Sequence, residues 1–252
     1  MDMIDIHTHI LFGVDDGSKN LEMSLKMARI AYESGVDTII ATPHCMPGIY
    51  NNYASEKLEH RFQILKEALA DYGIPIHLRK GMEVLATDRT EKLLDEKKLW
   101  TLSGSNYLLV EFSFDEDPMY CNKVLEKIRK KGFLPVIAHP CRYYFVQSDP
   151  QIVYDWYLKG YGIQINKGSL LGSFGKKEHD CANRLLRHGL VSCVASDTHR
   201  PDTRTPEMGE VRRYLFERYG KEYSYMLLEE NPSRILRNKA LVGYKPISFI
   251  EE

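Results

Sequence analysis

Residues 3–9 are Met-Ile-Asp-Ile-His-Thr-His, a short apolar run that ends in two histidines. The run Met3–Ile6 is rich in large aliphatic side chains, which predicts a β-strand. Alternate residues of an extended chain point to the same side, so we expect the imidazoles of His7 and His9 to face one point beyond the strand. An apolar run followed by metal-binding residue types recurs along the chain.

Six more apolar runs of strand length follow, most of them bounded by glycine, proline or polar residues. They are continuously apolar more than alternating, as expected of strands that are covered on both faces. The predicted strands are Met3–Ile6, Val36–Thr42, Ile76–Met82, Tyr107–Phe112, Leu134–Ala138, Gly162–Ile165 and Val191–Ala195.

Amphipathic segments separate these runs. The segment Asn20–Ser34 places Leu21, Leu25 and Ala28 on one stripe, and Gly35 follows as a stop signal. The predicted helices are Asn20–Ser34, Ser55–Tyr72, Asp88–Lys98, Met119–Lys131, Pro150–Lys159 and Lys177–His188, with two or three more between about Pro206 and Asn238.

Strand and helix therefore alternate about seven times, which predicts an α/β fold of parallel strands joined by right-handed crossovers. The length of 252 residues suits one α/β barrel. No linker or shift in composition interrupts the chain, so we expect one domain over residues 1–252. Periodicity alone does not separate a barrel from an open doubly wound sheet.

The residues at the strand ends bear on that choice. In a parallel barrel the carboxyl ends of all strands meet at one rim, where active sites are built. Imidazole and carboxylate groups bind Zn, Mn or Fe. Groups of these types follow six of the predicted strands: His7 and His9, His44, Glu83, Glu111, His139, and Asp197 with His199.

Each of these residues alone has an ordinary structural explanation, but that explanation must hold at six strand ends at once. We therefore predict a metal site. One catalytic zinc takes about three protein ligands, so this number of groups, with the acidic pair Asp15-Asp16, implies two or three ions. The other four histidines lie in predicted helices or near a strand start, where we expect surface or structural roles: His60, His77, His179 and His188.

The bulk properties exclude several classes of protein. The net charge is -1, which creates no overall field toward nucleic acid or an anionic membrane. No window approaches the roughly 20 apolar residues of a membrane span, and the first residues do not resemble a signal peptide. The five cysteines contain no C-x-x-C pair, which favours free thiols in a cytoplasmic protein.

The motifs together resemble the polymerase-and-histidinol-phosphatase (PHP) superfamily, and more closely the bacterial tyrosine-protein phosphatases of this type that are encoded with capsule and exopolysaccharide genes. The resemblance runs from the first strand to the segment Glu229-Glu230-Asn231-Pro232. Its strongest markers are Ile6-His7-Thr8-His9-Ile10 with Asp15-Asp16-Gly17, and Val194-Ala195-Ser196-Asp197-x-His199. It implies the PHP fold, a distorted (β/α)7 TIM-like barrel, and three divalent metal ions, commonly manganese, with zinc or iron as alternatives.

The resemblance also implies a ligand set. One ion would be held by His7, His9, Glu83 and Asp197. A second would share Glu83 and add Glu111 and His139. A third would use His44, His199 and an acid of the Asp15-Asp16 pair; Asp16 is preferred because the family aspartate lies just before the glycine, and Asp15 is the alternative.

Two arginines follow the predicted ligands and are candidate phosphate binders. Arg142 lies three residues after His139, and Arg204 lies five residues after His199. A guanidinium can bind two phosphate oxygens and stabilise the charge of the transition state. The family often has His-Pro-Glu-Arg where this chain has His139-Pro140-Cys141-Arg142, so the surroundings of the arginine differ.

These residues predict a phosphomonoesterase in which a metal-activated water attacks phosphorus in line. His44 or His199 could assist proton transfer if it is not fully committed to a metal. A cysteine route is disfavoured, since Cys181 and Arg187 have the C-x5-R spacing by coincidence in a helical stretch without glycine. The aromatic residues of two loops are as well suited to rim packing as to stacking on a phosphotyrosine ring: Tyr50, Tyr53, Tyr143, Tyr144 and Phe145.

The resemblance suggests a phosphotyrosine protein as substrate, namely the tail of a bacterial tyrosine kinase that controls polysaccharide export. Three alternatives stay open at this point. They are a small-molecule phosphatase such as histidinol phosphatase, an amidohydrolase with the same His-x-His start, and a non-catalytic metal-binding PHP module. Many amidohydrolases use a carboxylated lysine after the fourth strand, where this chain has Glu111.

Overall fold

A ring of parallel strands forms the centre of the molecule. The computed structural model describes residues 3–251. Its strands are β1 (Met3–Thr8), β2 (Val36–Ala41), β3 (His44–Met46), β4 (Tyr50–Asn51), β5 (His77–Lys80), β6 (Glu83–Leu85), β7 (Tyr107–Glu111), β8 (Leu134–Ala138), β9 (Gly162–Asn166) and β10 (Cys193–Ala195). They make two sheets, in the orders β1-β2-β5 and β10-β9-β8-β7-β6-β3-β4. All pairs are parallel except the β3–β4 hairpin.

Two wall positions of the barrel are broken strands. β2 continues as β3 after a two-residue break, and β5 continues as β6. The backbone N–H of Gly81 donates to Ala41 across these breaks (2.9 Å), and that of Glu83 donates to Pro43 (3.2 Å). Gly81 allows this close approach, because a Cβ there would lie 2.8 Å from Cγ2 of Ile40. Before its break, each of these strands pairs in the first sheet, as β2 or β5, and after the break it pairs in the second sheet, as β3 or β6.

The ring closes between its first and last strands. The N–H of Asp197, just after β10, donates to the carbonyl of His7, and that of His9 donates to Thr198, both at 2.9 Å. With each broken pair taken as one position, the wall has the seven strand positions that the sequence predicts. The prediction of a distorted barrel is confirmed.

Helices surround this wall. They are α1 (Leu21–Glu33), α2 (Glu56–Asp71), α3 (Thr90–Asp95), α4 (Pro118–Lys130), α5 (Tyr144–Ser148), α6 (Gln151–Leu158), α7 (Lys167–Leu170), α8 (Lys176–Arg187), α9 (Gly209–Tyr219), α10 (Lys221–Tyr225) and α11 (Asn231–Leu236), with a π-helical turn at Met226–Glu230. Side chains cap the helices where the sequence predicts starts: Asn20 accepts from the N–H of Met23, and Ser55 from that of Leu58.

Most predicted helices match the structure to within two residues. The predicted helix Asp88–Lys98 was too long, since α3 ends at Asp95 and Lys97 has a φ of 53° that no α-helix accommodates. The short elements β4, α5 and α7 were not predicted, because runs of two to five residues carry no readable period.

The buried apolar residues form two clusters, a large one that includes four cysteines and a smaller one, with Ile6, Leu109 and Val136, that includes Cys193. All five cysteines are buried free thiols. Among residues 3–251, no helix combines the length and apolar character needed to cross a membrane. The described chain thus places its polar chemistry at one rim of the barrel.

Candidate metal centre

The rim of the barrel gathers every metal ligand that the sequence predicts. Each residue of the set has a donor atom within 3.5 Å of a donor atom of another member, and most of the set is buried. The set comprises His7, His9, Asp16, His44, Glu83, Glu111, His139, Asp197 and His199. Strands that lie far apart in the sequence position them, because the carboxyl ends of parallel strands meet there.

The first group joins the two histidines after β1 to two carboxylates. Nε2 of His7 lies 3.1 Å from Oε2 of Glu83 and 3.5 Å from Oδ1 of Asp197. Nε2 of His9 lies 3.2 Å and 3.3 Å from the same two oxygens, and 3.3 Å from Nε2 of His7. Donors that share one tetrahedral ion at about 2.0–2.1 Å lie about 3.3 Å from one another. The spacing of this group fits one such ion.

The second group surrounds the two glutamates. Oε1 of Glu83 lies 2.9 Å from Nε2 of His139, so the two oxygens of Glu83 face two different groups. Oε1 of Glu111 lies 3.0 Å from Nδ1 of His44, which is also 3.0 Å from Oε2 of Glu83. His44, expected only in the third group, thus also contributes a nitrogen here.

The third group contains Asp16, the more exposed of the two neighbouring acids. Its Oδ1 lies 3.5 Å from Nε2 of His44 and 3.4 Å from Nε2 of His199. Asp15 lies behind the group instead: its carboxylate contacts Nδ1 of His9 at 2.9 Å and accepts from the N–H groups of Gly17 and His44. The geometry favours Asp16 as the ligand and gives Asp15 the task of orienting His9.

Several buried donor and acceptor atoms at the rim have no hydrogen-bond partner among the described residues. Buried polar atoms are nearly always partnered, so a cluster of exceptions requires an explanation. Five of these atoms are donors of the groups described above, which is the arrangement that cations would satisfy; for His139 the other nitrogen, Nε2, faces Glu83. The six atoms are Nδ1 of His44, Oε2 of Glu83, Oε1 of Glu111, Nδ1 of His139, Oδ1 of Asp197 and Nε2 of His199.

Two carboxylates of the cluster, those of Glu83 and Asp197, remain charged although they are buried. Burial raises the pKa of Glu83 and Asp197. The neighbouring imidazoles, chiefly that of His7, lower it by more than burial raises it, so both pKa values lie well below the usual range. Burial lowers the pKa of His44, and the Glu83 and Glu111 carboxylates more than offset this and raise it to about 10. Such a field of buried anions attracts positive charge.

Three residues of the rim have backbone conformations that are uncommon outside glycine. The φ angles are 37° at His139, 50° at Asp197 and 49° at Arg204. Each costs of order 1–3 kcal/mol, and such residues cluster at functional sites. His139 and Asp197 lie one and two residues after the ends of β8 and β10, so these turns occur where the strands end at the rim.

Both predicted arginines lie beside the cluster. The guanidinium of Arg142 lies between the rings of Phe114 and Phe174, 4.5 Å and 5.0 Å from their centroids. Nη2 of Arg204 donates to Oδ2 of Asp197 at 2.5 Å, and Nη1 of Arg142 lies 4.0 Å from the same oxygen. Two cations therefore flank one side of the buried carboxylates.

Sequence reasoning missed the polar residues of β9. Gln164 and Asn166 are fully buried and contact the cluster, the first at Nδ1 of His7 and the second at Asp197. The signal was available, because two amides at alternate positions of a predicted strand share a face. Phe114 and Phe174 were also missed, and no local pattern distinguishes them from core residues.

The residues expected to lie outside the site do so. Cys181 and Arg187 are both part of α8, and burial raises the pKa of the Cys181 thiol. His60 and His77 are exposed, and His188 is buried against Phe249 with 3.7 Å between ring centroids. Within residues 3–251, Cys181 and Arg187 therefore form no phosphate-binding loop of the thiolate phosphatases.

The five loop aromatics divide between rim packing and the surface. Tyr50 stacks on His44, with 5.8 Å between the ring centroids. Tyr143 is buried and donates to the carbonyl of Ala138, and Phe145 packs against it. Tyr144 is exposed at the edge of a groove of about 450 Å³ that begins at Glu111. Apolar side chains line much of this groove: Met46, Ile49, Leu85, Phe112 and Phe114.

Comparison with known proteins places this barrel among metal-dependent phosphatases. Residues 3–237 match the family described as capsular polysaccharide synthesis, CpsB/CapC. The chain is 38% identical over 244 residues to the tyrosine-protein phosphatase YwqE of Bacillus subtilis, covering 97% of this chain and 95% of that protein. It is 33% identical to the tyrosine-protein phosphatase CpsB of Streptococcus pneumoniae, over 95% of this chain and 100% of that protein.

Solved structures give the same result. A structure from a study of YwqE and CpsB, described as unique metal-dependent tyrosine phosphatases, superposes with a TM-score of 0.92 at 37% identity, covering 98% of this chain and 99% of that one. A lactonase from Listeria monocytogenes superposes with a TM-score of 0.62 at 11% identity, over 93% and 94% of the two chains, and shares the barrel fold alone.

Proposed function

The chain belongs to the capsular polysaccharide synthesis CpsB/CapC family, and we propose that it is a metal-dependent tyrosine-protein phosphatase whose active site is the rim cluster. The observation that carries this proposal is the convergence of nine imidazole and carboxylate side chains beside two guanidinium groups. Anionic donors attract cations, and cations with arginines bind phosphate.

We assign three ions to the three groups of donors. His7, His9, Glu83 and Asp197 would hold the first, and Glu83, Glu111 and His139 the second, with Nδ1 of His44 as a further donor. Asp16, His44 and His199 would hold the third. Manganese is our first expectation, and zinc or iron would suit the same imidazole and carboxylate set. Ions bound there would polarise the phosphoryl oxygens and lower the pKa of a water to near neutrality.

The arginines would bind the remaining phosphate oxygens. Arg142 is the stronger candidate, because its guanidinium lies over the rings of Phe114 and Phe174 and its nearest carboxylates among residues 3–251 are distant, at 3.7 Å (Glu178) and 4.0 Å (Asp197). Arg204 would contribute charge from its bond to Asp197. Both groups would favour the negative charge that spreads over the phosphoryl oxygens in the transition state.

His199 and His44 differ in their ability to accept a proton or to bind a cation near neutral pH. Burial and the neighbouring imidazole of His9 lower the pKa of His199, which favours the neutral imidazole. Its Nδ1 faces the carbonyl oxygen of Asp197 at 3.1 Å and carries the remaining proton, so Nε2 presents a lone pair. It can hold a cation or accept a proton from water. His44 has a raised pKa and must lose a proton before it can do either. The phenolate of tyrosine leaves with little help, since its pKa is near 10.

A covalent phosphocysteine is not needed and is not supported. All five thiols are buried, and burial raises the pKa of Cys45, Cys121 and Cys141 to about 12. Thiols with such pKa values are neutral and inert at physiological pH. The attacking oxygen therefore comes from water.

The groove beside Glu111 supports an aryl phosphate as substrate. Apolar side chains line much of it, beside Ser113 and Asp115, and it begins at the proposed ligand Glu111, so a phenyl ring in it would place its phosphate at the cluster. We infer that the substrate is a phosphotyrosine segment of a cytoplasmic protein, namely the tail of a tyrosine kinase that acts in capsule or exopolysaccharide synthesis. A small-molecule substrate such as histidinol phosphate is the alternative, and it lacks the phenyl ring that this groove would accept.

Metal analysis coupled to an aryl phosphate assay tests the site. We expect His139→Ala to lose bound metal and most turnover, because it removes a donor of the second group. Arg142→Ala should keep its metal and lose about a hundredfold in turnover, the typical effect of removing a group that stabilises transition-state charge. His60→Ala and Arg213→Ala, both at exposed helical positions, are the matched controls.

Three outcomes would contradict the proposal. Full activity of His139→Ala would show that the cluster is not the active site. Turnover of histidinol phosphate far above that of phosphotyrosine peptides would transfer the assignment to a small-molecule phosphatase. A protein that binds metal and hydrolyses neither substrate would be a non-catalytic module.

A further inference from the structure

The end of β9 carries two buried amides that connect two of the proposed ligands. We infer that Gln164 and Asn166 form a hydrogen-bonded relay that fixes the tautomer of His7 and the orientation of Asp197 for one and the same ion. Both are positioning residues, since neither faces the donor groups directly. The inference rests on the proposed metal site and concerns residues to which that proposal gives no role.

The relay is continuous and excluded from water. Nδ1 of His7 lies 3.0 Å from Oε1 of Gln164, and Nε2 of Gln164 donates to Oδ1 of Asn166 at 2.9 Å. Nδ2 of Asn166 donates to Oδ2 of Asp197 at 2.6 Å, as expected of a bond to a charged acceptor. All four side chains are buried, with exposures of 1% or less.

The donor and the acceptor of every hydrogen bond in the relay follow from the role of Asp197 at one end of it. Oδ2 of Asp197 already accepts from Nη2 of Arg204, so the same carboxylate oxygen is the acceptor of the neighbouring amide at 2.6 Å. Asn166 must then present its NH2 group to Asp197 and its oxygen to Gln164. Gln164 in turn presents its NH2 group to Asn166 and its oxygen to His7.

The consequence at His7 is a defined tautomer. The nitrogen that faces the Gln164 oxygen must carry the proton, so Nε2 presents its lone pair to Glu83, His9 and Asp197. A metal-binding imidazole whose other nitrogen donates to a fixed oxygen is oriented and made more basic. At the far end, the amide and Arg204 occupy Oδ2 of Asp197 and leave Oδ1 for the same group of donors.

The barrel register explains why β9 carries the relay. Gln164 pairs with Ala138, one residue before His139, and Asn166 pairs with Ala195, two residues before Asp197. Residues two apart in a strand share a face, so both amides point to the rim interior. Among the predicted strands, β9 is the one that ends without a proposed ligand. Its two amides instead orient proposed ligands that follow β1 and β10.

The test measures the affinity of the purified full-length protein for Mn²⁺ and Zn²⁺ by competition with a chromophoric chelator. We expect Gln164→Met and Asn166→Leu each to weaken the tightest site by about tenfold to a hundredfold, the usual effect of losing such a partner. The double variant should lose no more than the worse single variant, because either change breaks the same relay. If the two amides acted independently, the fold-losses of metal affinity in the two single variants would multiply in the double variant.

A buried amide outside the site provides the matched control. Asn183 is 5% exposed and its side chain bonds to Tyr214 and Tyr219, away from the rim. Asn183→Leu should lower the melting temperature of the metal-free protein and leave metal affinity unchanged. If Gln164→Met does not fold, Gln164→Glu replaces it: this variant keeps an acceptor for His7 but cannot donate to Asn166, and we expect an intermediate affinity.

The outcomes separate the relay from the site itself. Unchanged affinity in both single variants, with affinity lost in His7→Ala, would overturn the relay and leave the proposed function standing. Multiplied losses in the double variant would also overturn it. Affinity that is unchanged in His7→Ala, or no metal binding by the wild type, would overturn the metal site and the relay together.

Discussion

At the scale of single residues, Asp197 combines an uncommon backbone conformation with contacts to four polar side chains. It adopts a φ of 50°, its Oδ1 faces two imidazoles, and its Oδ2 accepts from an amide and a guanidinium. Asparagine would preserve its shape and lose the charge that all these donors require. The residue is fixed by backbone and side chain together, so the proposed cation site would need little rearrangement to bind an ion.

The acidic pair gives a test at the same scale. We expect Asp16→Asn to lower the molar ratio of bound metal by about one ion, because Asp16 faces His44 and His199. Asp15→Asn should instead lower the melting temperature, since the buried Asp15 carboxylate contacts His9 and accepts from two backbone N–H groups. Elemental analysis and thermal unfolding of both variants distinguish the two roles, and a loss of one ion in Asp15→Asn alone would reverse them.

At the scale of elements, the β3–β4 hairpin extends the barrel wall beyond the rim. It carries His44 at its base, Tyr50 stacked on that imidazole, and Ile49 largely exposed at its turn. The hairpin therefore joins a proposed ligand to one wall of the aryl groove. The six residues 44–49 connect the proposed metal ligand to the proposed substrate contact.

Ile49 allows the groove to be tested. Partial burial of this side chain by a substrate ring is worth about 1 kcal/mol, so Ile49→Ser should raise KM for a phosphotyrosine peptide about fivefold. The kcat and the metal content should stay unchanged, because the side chain contacts no ligand of the cluster. Steady-state kinetics are the measurement, with Ile247→Ser, another exposed isoleucine far along the chain, as control. An unchanged KM would remove the hairpin from the substrate site.

At the scale of the whole molecule, the rim joins elements from β1 to the loop after β10. Charged and unpartnered atoms concentrate where the strands converge, so bound cations would connect several wall positions at once. A ligand that binds only the folded state stabilises that state by mass action. Metal ions should therefore stabilise the entire barrel as well as its activity.

Chelation tests this link. At a free metal concentration about a hundredfold above Kd, binding adds about 2.7 kcal/mol to the free energy of unfolding. In a protein of this size that corresponds to about 5–10 °C in Tm. We expect a chelator to lower Tm by this amount and abolish turnover, and added Mn²⁺ to restore both. Differential scanning calorimetry with and without chelator is the measurement; an identical Tm in both would mean that the cluster binds no metal in the folded protein.

The sequence by itself determined the alternation of strands and helices and the chemistry of the rim. Apolar runs place strands within a few residues, and parallel topology requires their ends to meet, so His7, Glu111 and His139 could be predicted to converge without coordinates. Short-range patterns were enough to predict this convergence, because every strand of a parallel barrel ends at the same rim.

Only the tertiary structure decided how these groups face one another. The division of His44 between two groups, the place of Asp15 behind His9, the stacking of Arg142 between two rings, and the amides of β9 all depend on contacts between residues distant in the chain. Side-chain direction and hydrogen-bond polarity are set by packing in three dimensions, and a linear pattern of residue types does not encode them.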